Sequence, residues 1–295
     1  MPFSEAIVSP LRRVSEGHIW CEGAAWLPHS NQLLFSDVKK GALHLYDVDT
    51  QSTLLVTDQS NYANGNCTLS SGDVISCEHG RRCISLRSKD NLAIAKVIIE
   101  KLDGKRLNSP NDLVERKSDQ TIWFTDPPYG IISDDEGFKS ESQIVGCYVY
   151  CYDPKTELLT IATTDVQRPN GLVFSPDESI LYVADMSIVD FPTQGLKHLK
   201  AFDVNGSTLS NGRLVYEVEH GIPDGMTVDQ FGTLYLSSSE GILVLSKEMQ
   251  LLGKIATTET VSNCTFDSAE KTLYITASTS VYAIDIDTAY LSKLS

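Results

Sequence analysis

A short β-like run ending on a small or acidic residue occurs six times along the chain: LLFSD (33–37), VISCE (74–78), IWFTD (122–126), LYVAD (181–185), LYLSS (234–238) and LYITA (273–277). The spacing, about 40 to 60 residues, is that of one four-stranded propeller blade. Each run follows an earlier apolar run and a turn-rich stretch (HSNQ, SSGD, KSDQ, SPDES, DQFG, DSAEK), which together read as an antiparallel hairpin. ALHLYDVD, CYVYCYDP, LKAFDVNG, ILVLSKE and VYAIDID supply third strands ending in Asp, Asn or Gly turns. The best helical candidate, NLAIAKVIIEK, itself reads as a strand. The repeat therefore predicts an all-β fold, a six-bladed β-propeller with a central channel, as a single domain over residues 1–295.

Charge narrows the partners. With 24 Lys and Arg against 39 Asp and Glu, the net charge is −15 and the pI about 4.7. Such a surface repels phosphate backbones and anionic lipid, so neither nucleic acid nor membrane is an expected partner. No stretch approaches eighteen apolar residues and the first residues lack a signal-like apolar segment, which predicts a cytoplasmic chain. The seven cysteines are scattered and odd in number, and read as reduced thiols. A Cys147 to Cys151 bridge is kept as the alternative to seven free thiols.

The hairpins also share a phase. Glu22 precedes Asp37 by fifteen residues, as Asn111 precedes Asp126 and Asn170 precedes Asp185; Asp224 precedes Ser238 by fourteen, as Asn263 precedes Ala277. Asn66, in NGNCTLSSGDVISCE, is taken as the second blade's counterpart, with a shorter turn. If the first strand of each hairpin is innermost, one equivalent position per blade gives a ring of side chains around the channel. Glu22, Asn66, Asn111, Asn170, Asp224 and Asn263 then meet at one mouth. Asp37, Glu78 with His79, Asp126 and Asp185 stand behind them.

Two carboxylates and several amide carbonyls, without a His or Cys cluster, are hard oxygen donors suited to one divalent cation, calcium before zinc. Such an ion polarises a carbonyl and activates water. SPND, RPNG and IPDG are also common turn signals, and only their repetition at one phase favours chemistry over backbone punctuation.

CEGAAW, NSPNDLV with WFTDPPYG, RPNGLVFSPDE and IPDGMTVD together resemble the motifs of the gluconolactonase and senescence-marker-protein (regucalcin) family, in order and across essentially the whole chain. The resemblance implies a six-bladed propeller, one divalent cation in the channel (calcium, with magnesium, manganese or zinc as alternatives), and hydrolysis of a small-molecule lactone, such as glucono-1,5-lactone, to the hydroxy acid. Residue by residue, it implies metal ligands at Glu22, Asn170 and Asp224, with Asn111 as a fourth ligand or a substrate contact. Asp224 is implied as the acid/base as well. His79, in CEHGRR, competes for that role, since an imidazole titrates near neutrality. Animal members carry an arginine where this chain has Ser109, so sugar contacts fall to Asn108 and Tyr129.

Two other functions share these features. Metal-centred propellers resembling diisopropyl fluorophosphatase and paraoxonase use similar oxygen shells on phosphotriesters, and other propellers bind metals or partners without catalysis. The acidic loop GIISDDEGFKSESQIVG (130–146) follows DPPYG and is expected either as a solvated excursion or as a cover over the mouth.

Overall fold

Each predicted hairpin turn places one residue in the left-handed region, at Asn31, Gly72, Gln120, Glu178, Gly232 and Glu270, all with φ between +51° and +90°. These turns reverse the chain between the first and second strands of six antiparallel four-stranded sheets. The computed structural model describes residues 2–294.

The sheets are six propeller blades. Their innermost strands are Cys21–Leu27, Ala63–Thr68, Leu113–Arg116, Pro169–Phe174, Met226–Val228 and Val261–Phe266. In blades one to five, the four strands follow one another from the channel outward. Blade six takes its outermost strand, Arg12–Glu16, from the start of the chain, where it pairs with Ser280–Asp285 and closes the ring. The charge-assisted Arg12–Asp285 pair, at 2.8 Å, lies on this closing strand. Asn91–Ile99 is a strand, as its β-branched run predicts. The short hairpin Lys101–Leu102 with Lys105–Arg106 lies outside the repeat.

Apolar burial is divided among six interfaces. Each hydrophobic cluster draws on two adjacent blades: Trp123 and Val149 meet Phe174 and Leu181, Tyr235 and Ile242 meet Phe266 and Leu273, and Phe35 meets Tyr274 and Val281. Burying side chains of this size contributes roughly 1.5–3 kcal/mol each, so the packing between blades helps to hold the ring. The channel is lined by polar and apolar residues together, with the buried carboxylates and carboxamides gathered at one mouth. All seven cysteines are free, so the Cys147–Cys151 bridge does not form. No helix among the described residues is long and apolar enough to cross a membrane.

Candidate metal and substrate site

Near the start of the innermost strands the ladder slips by one residue. In blade one Cys21 pairs with Asp37 and Glu22 with Ser36, yet Ala25 pairs with Leu34; equivalent slips follow Ala63, Pro169 and Val261. A bulge of this kind bends the strand and re-aims a side chain. The residue one past the outermost pair, Glu22 in blade one, Asn64 in blade two and Asn170 in blade four, lines the mouth of the channel.

A glycine follows that residue in four blades because the inner strands converge there. A Cβ on Gly23 would run into the Asn64 carbonyl oxygen, and one on Gly171 into the Asp224 carbonyl oxygen. On Gly65 it would lie 2.6 Å from the Asn111 carbonyl oxygen, a distance at which backbone must move. Hydrogen bonds tie neighbouring blades around the ring: Gly65 N donates to Asn111 O (2.8 Å), Thr125 Oγ1 to Asn170 O (2.8 Å), and Ser262 Oγ to Cys21 O (2.6 Å).

Glu22, Asn64, Asn111, Asn170 and Asp224 line one cavity of about 270 Å³. Each is 4–7% exposed, so desolvation dominates their electrostatics. Burial first, then the charges of Asp224 and Asp112, push the Glu22 carboxyl well above its ordinary range. Asp224 is raised likewise by burial and by Asp112 and Glu136, against a hydrogen bond from Asn170. Neither has a Lys or Arg among the groups that set its charge state. Two buried carboxylates without a protein countercharge, beside carboxamide oxygens and with no thiolate or imidazole in the lining, fit a hard divalent cation.

The remaining expected residues fall in different places. Tyr129 lines the cavity, and its buried hydroxyl has no partner within the protein. Asn108 does not line it. Its amide donates to the Asp126 and Gly146 carbonyls, and Ser142 Oγ donates to its Oδ1, so it clamps the loop behind the site. His79 is fully buried behind Asn64, with Nε2 at 3.4 Å from Asn64 Nδ2 and Nδ1 at 3.1 Å from the Glu136 carbonyl. Burial lowers its pKa to about 4.

Asn66 and Asn263 are corrections. Both lie beyond the bulge and line a separate 210 Å³ cavity deeper in the channel, with Asp112. Asn66 donates to Gly23 O and Ser36 Oγ and accepts from Ser76 Oγ, which makes it a staple between blades one and two. Asn263 donates to Asp112 Oδ2. The true counterparts are Asn64, one residue past the Ala63–Glu78 pair, and Ser262, one past Val261–Ala277. Sequence does carry the signal for Asn64: Asn64-Gly65 repeats the pattern of Glu22-Gly23, Asn170-Gly171 and Asp224-Gly225, and fourteen residues separate it from Glu78, as they separate Asp224 from Ser238.

The acids that end the second strands hold loops rather than face the cavity. Asp37 accepts from Ile19 N, Asp126 from Asn108 N and Asp185 from Gln167 N, each eighteen residues upstream on the loop entering the inner strand. Glu78 instead pairs with Arg81 and the buried Arg87. The 130–146 loop forms part of the cavity wall through Ile132, Ser133, Asp135 and Glu136. It is fixed by Phe138 against Tyr62 and by Arg82 on Ser140. Trp20, Met186, Val189 and Ile222 complete a largely apolar rim that the repeat does not reveal.

Comparisons with known proteins place the fold and the family. The family pattern described as SMP-30/gluconolactonase/LRE-like region matches residues 20–279. The chain is 29% identical to a gluconolactonase of Zymomonas mobilis, across 94% of this chain and 82% of that protein. Among solved structures it is similar to a gluconolactonase of Xanthomonas campestris, with a TM-score of 0.88 and 33% identity over 94% of this chain and 89% of the other. A regucalcin of Agrobacterium tumefaciens, described as calcium-binding, shares the fold at a TM-score of 0.73 and 14% identity, over 93% of each chain. On its matched span and its six-bladed architecture, the chain belongs to the SMP-30/gluconolactonase/LRE-like family.

Proposed function

We propose that this lactonase hydrolyses a neutral lactone, with glucono-1,5-lactone as the reference substrate, using one divalent cation held by Glu22, Asn111, Asn170 and Asp224. The observation that carries the reading is the pair of buried carboxylates, Glu22 and Asp224, set beside carboxamides at one mouth without a protein cation. When bound, calcium or another hard divalent ion supplies Lewis acidity to the lactone carbonyl.

The chain's own groups do the rest. Asp224 takes the proton of the attacking water; burial strengthens it as a base, and the Asn170 amide orients it. The Tyr129 hydroxyl offers a donor to a substrate oxygen. Trp20, Ile132, Val189 and Ile222 enclose the ring of the substrate and exclude bulk water. No Lys or Arg lines the cavity among the described residues, while Asp135 and Glu136 do, which favours a neutral substrate over an anionic one. Ser109 is buried, accepting from Gly130 N and donating to Pro127 O, and reaches no substrate.

The test is steady-state kinetics on a panel of γ- and δ-lactones beside a phosphotriester. Faster turnover of lactones, lost in Asp224→Asn, supports the reading; faster phosphotriester turnover reverses it.

A further inference from the structure

We propose that His18, Asp37 and His44 form a second metal site, for zinc or a similar borderline divalent ion, on blade one and separate from the oxygen-lined mouth. The ligand atoms of the three side chains all lie within 4.8 Å of one another. His44 Nε2 is buried without a hydrogen-bond partner, and His18 Nδ1 is buried with Asp37 beside it, beyond ordinary hydrogen-bond length, although polar atoms in such surroundings are nearly always paired. The His18 side chain is only 6% exposed, and its Nδ1 lies 3.6 Å from Asp37 Oδ2.

The surroundings hold both rings in place. His18 meets Phe35 edge-on at 5.0 Å, His44 stacks on Phe35 at 5.4 Å, and the two imidazoles are 4.8 Å apart. His18 Nε2 lies 2.8 Å from Ser15 Oγ, which itself accepts from Thr53. With the proton on Nε2, the Nδ1 lone pair faces Asp37 and His44, an outer-shell arrangement usual for ligating histidines. Two imidazoles and one carboxylate suit zinc, cobalt or iron(II), whereas the mouth offers carboxylates and carboxamides without an imidazole.

Tetrahedral ligands about 2.0 Å from a zinc ion stand roughly 3.3 Å apart, so the three side chains close by up to about 1.5 Å on binding. Asp37 also receives Ile19 N, Trp20 N and, at 3.3 Å, Lys40 Nζ. Lys40 is 39% exposed, and its ammonium moves to solvent when the ion enters. An ion here braces the loop that carries Trp20 into the cavity, two residues before Glu22.

The test uses the full chain after chelation, with the mouth silenced by Glu22→Gln and Asp224→Asn. Titration with Zn²⁺ should then show one equivalent, Co²⁺ should give the visible bands of a low-symmetry nitrogen-ligated ion, and Zn²⁺ should raise Tm. Adding His18→Gln and His44→Gln should remove all three. Because those substitutions could disturb folding, a wild-type crystal soaked in Zn²⁺ provides a second measurement. An anomalous peak between the two imidazoles supports the site. No Zn²⁺ uptake by the silenced chain, uptake unchanged without the two histidines, or an anomalous peak in the channel only overturns it.

Discussion

Gly23 packs directly against the backbone of Asn64, and this contact joins the mouth-lining positions of blades one and two. Gly23 also has φ of +55°, so a side chain there meets both a strained backbone and a neighbouring carbonyl. Gly23→Ala should therefore destabilise the chain by about 2–4 kcal/mol. Thermal unfolding of the variant checks this. An unchanged Tm would mean the inner strands are not in contact at the mouth.

The position of His79 separates two assignments of the base. Its ring is buried behind Asn64 and burial lowers its pKa to about 4, which makes it a weak base near neutrality and favours Asp224 in that role. His79→Asn should keep kcat/KM within about tenfold of wild type, while Asp224→Asn should lower it by about 10²–10⁴. The reverse order would make His79 the base.

Asp126 gives a stability prediction outside the mouth. Burial raises its pKa to about 7, against the Asn108 and Ser109 amides and Arg82, and its Oδ1 is unpartnered. A carboxyl whose folded pKa lies above its unfolded value stabilises the fold fully below about pH 4, and that contribution disappears as pH rises through 7. Chelated wild type should lose on the order of 2–4 kcal/mol through this group over that window. Asp126→Asn, which keeps an acceptor for Asn108 N, should flatten this part of the profile. Denaturant titrations between pH 4 and 8 measure the difference; identical profiles would contradict the shift.

The blades and four mouth residues are legible in the sequence because both follow a period that strand geometry enforces. Asn66 and Asn263 show where that reading fails. A bulge adds one residue to the inner strand, so a polar residue just beyond it matches the motif by type yet faces a deeper part of the channel. The glycine after the mouth residue is the more dependable marker, because close approach of strands requires it. Trp20, Glu136, Met186 and Ile222 come from loops of unequal length, where no periodicity constrains position, and only the folded chain brings them to one rim. The closing strand Arg12–Glu16 is equally unreadable locally, since its partner lies some 270 residues away.

The most direct test of the account is glucono-1,5-lactone hydrolysis by chelated protein titrated with Ca²⁺ or Mg²⁺, beside Glu22→Gln. Activity should vanish on chelation, return with a divalent ion in wild type, and fail to return in the variant. Turnover that persists unchanged in metal-free protein, or that Glu22→Gln recovers as fully as wild type, would contradict it.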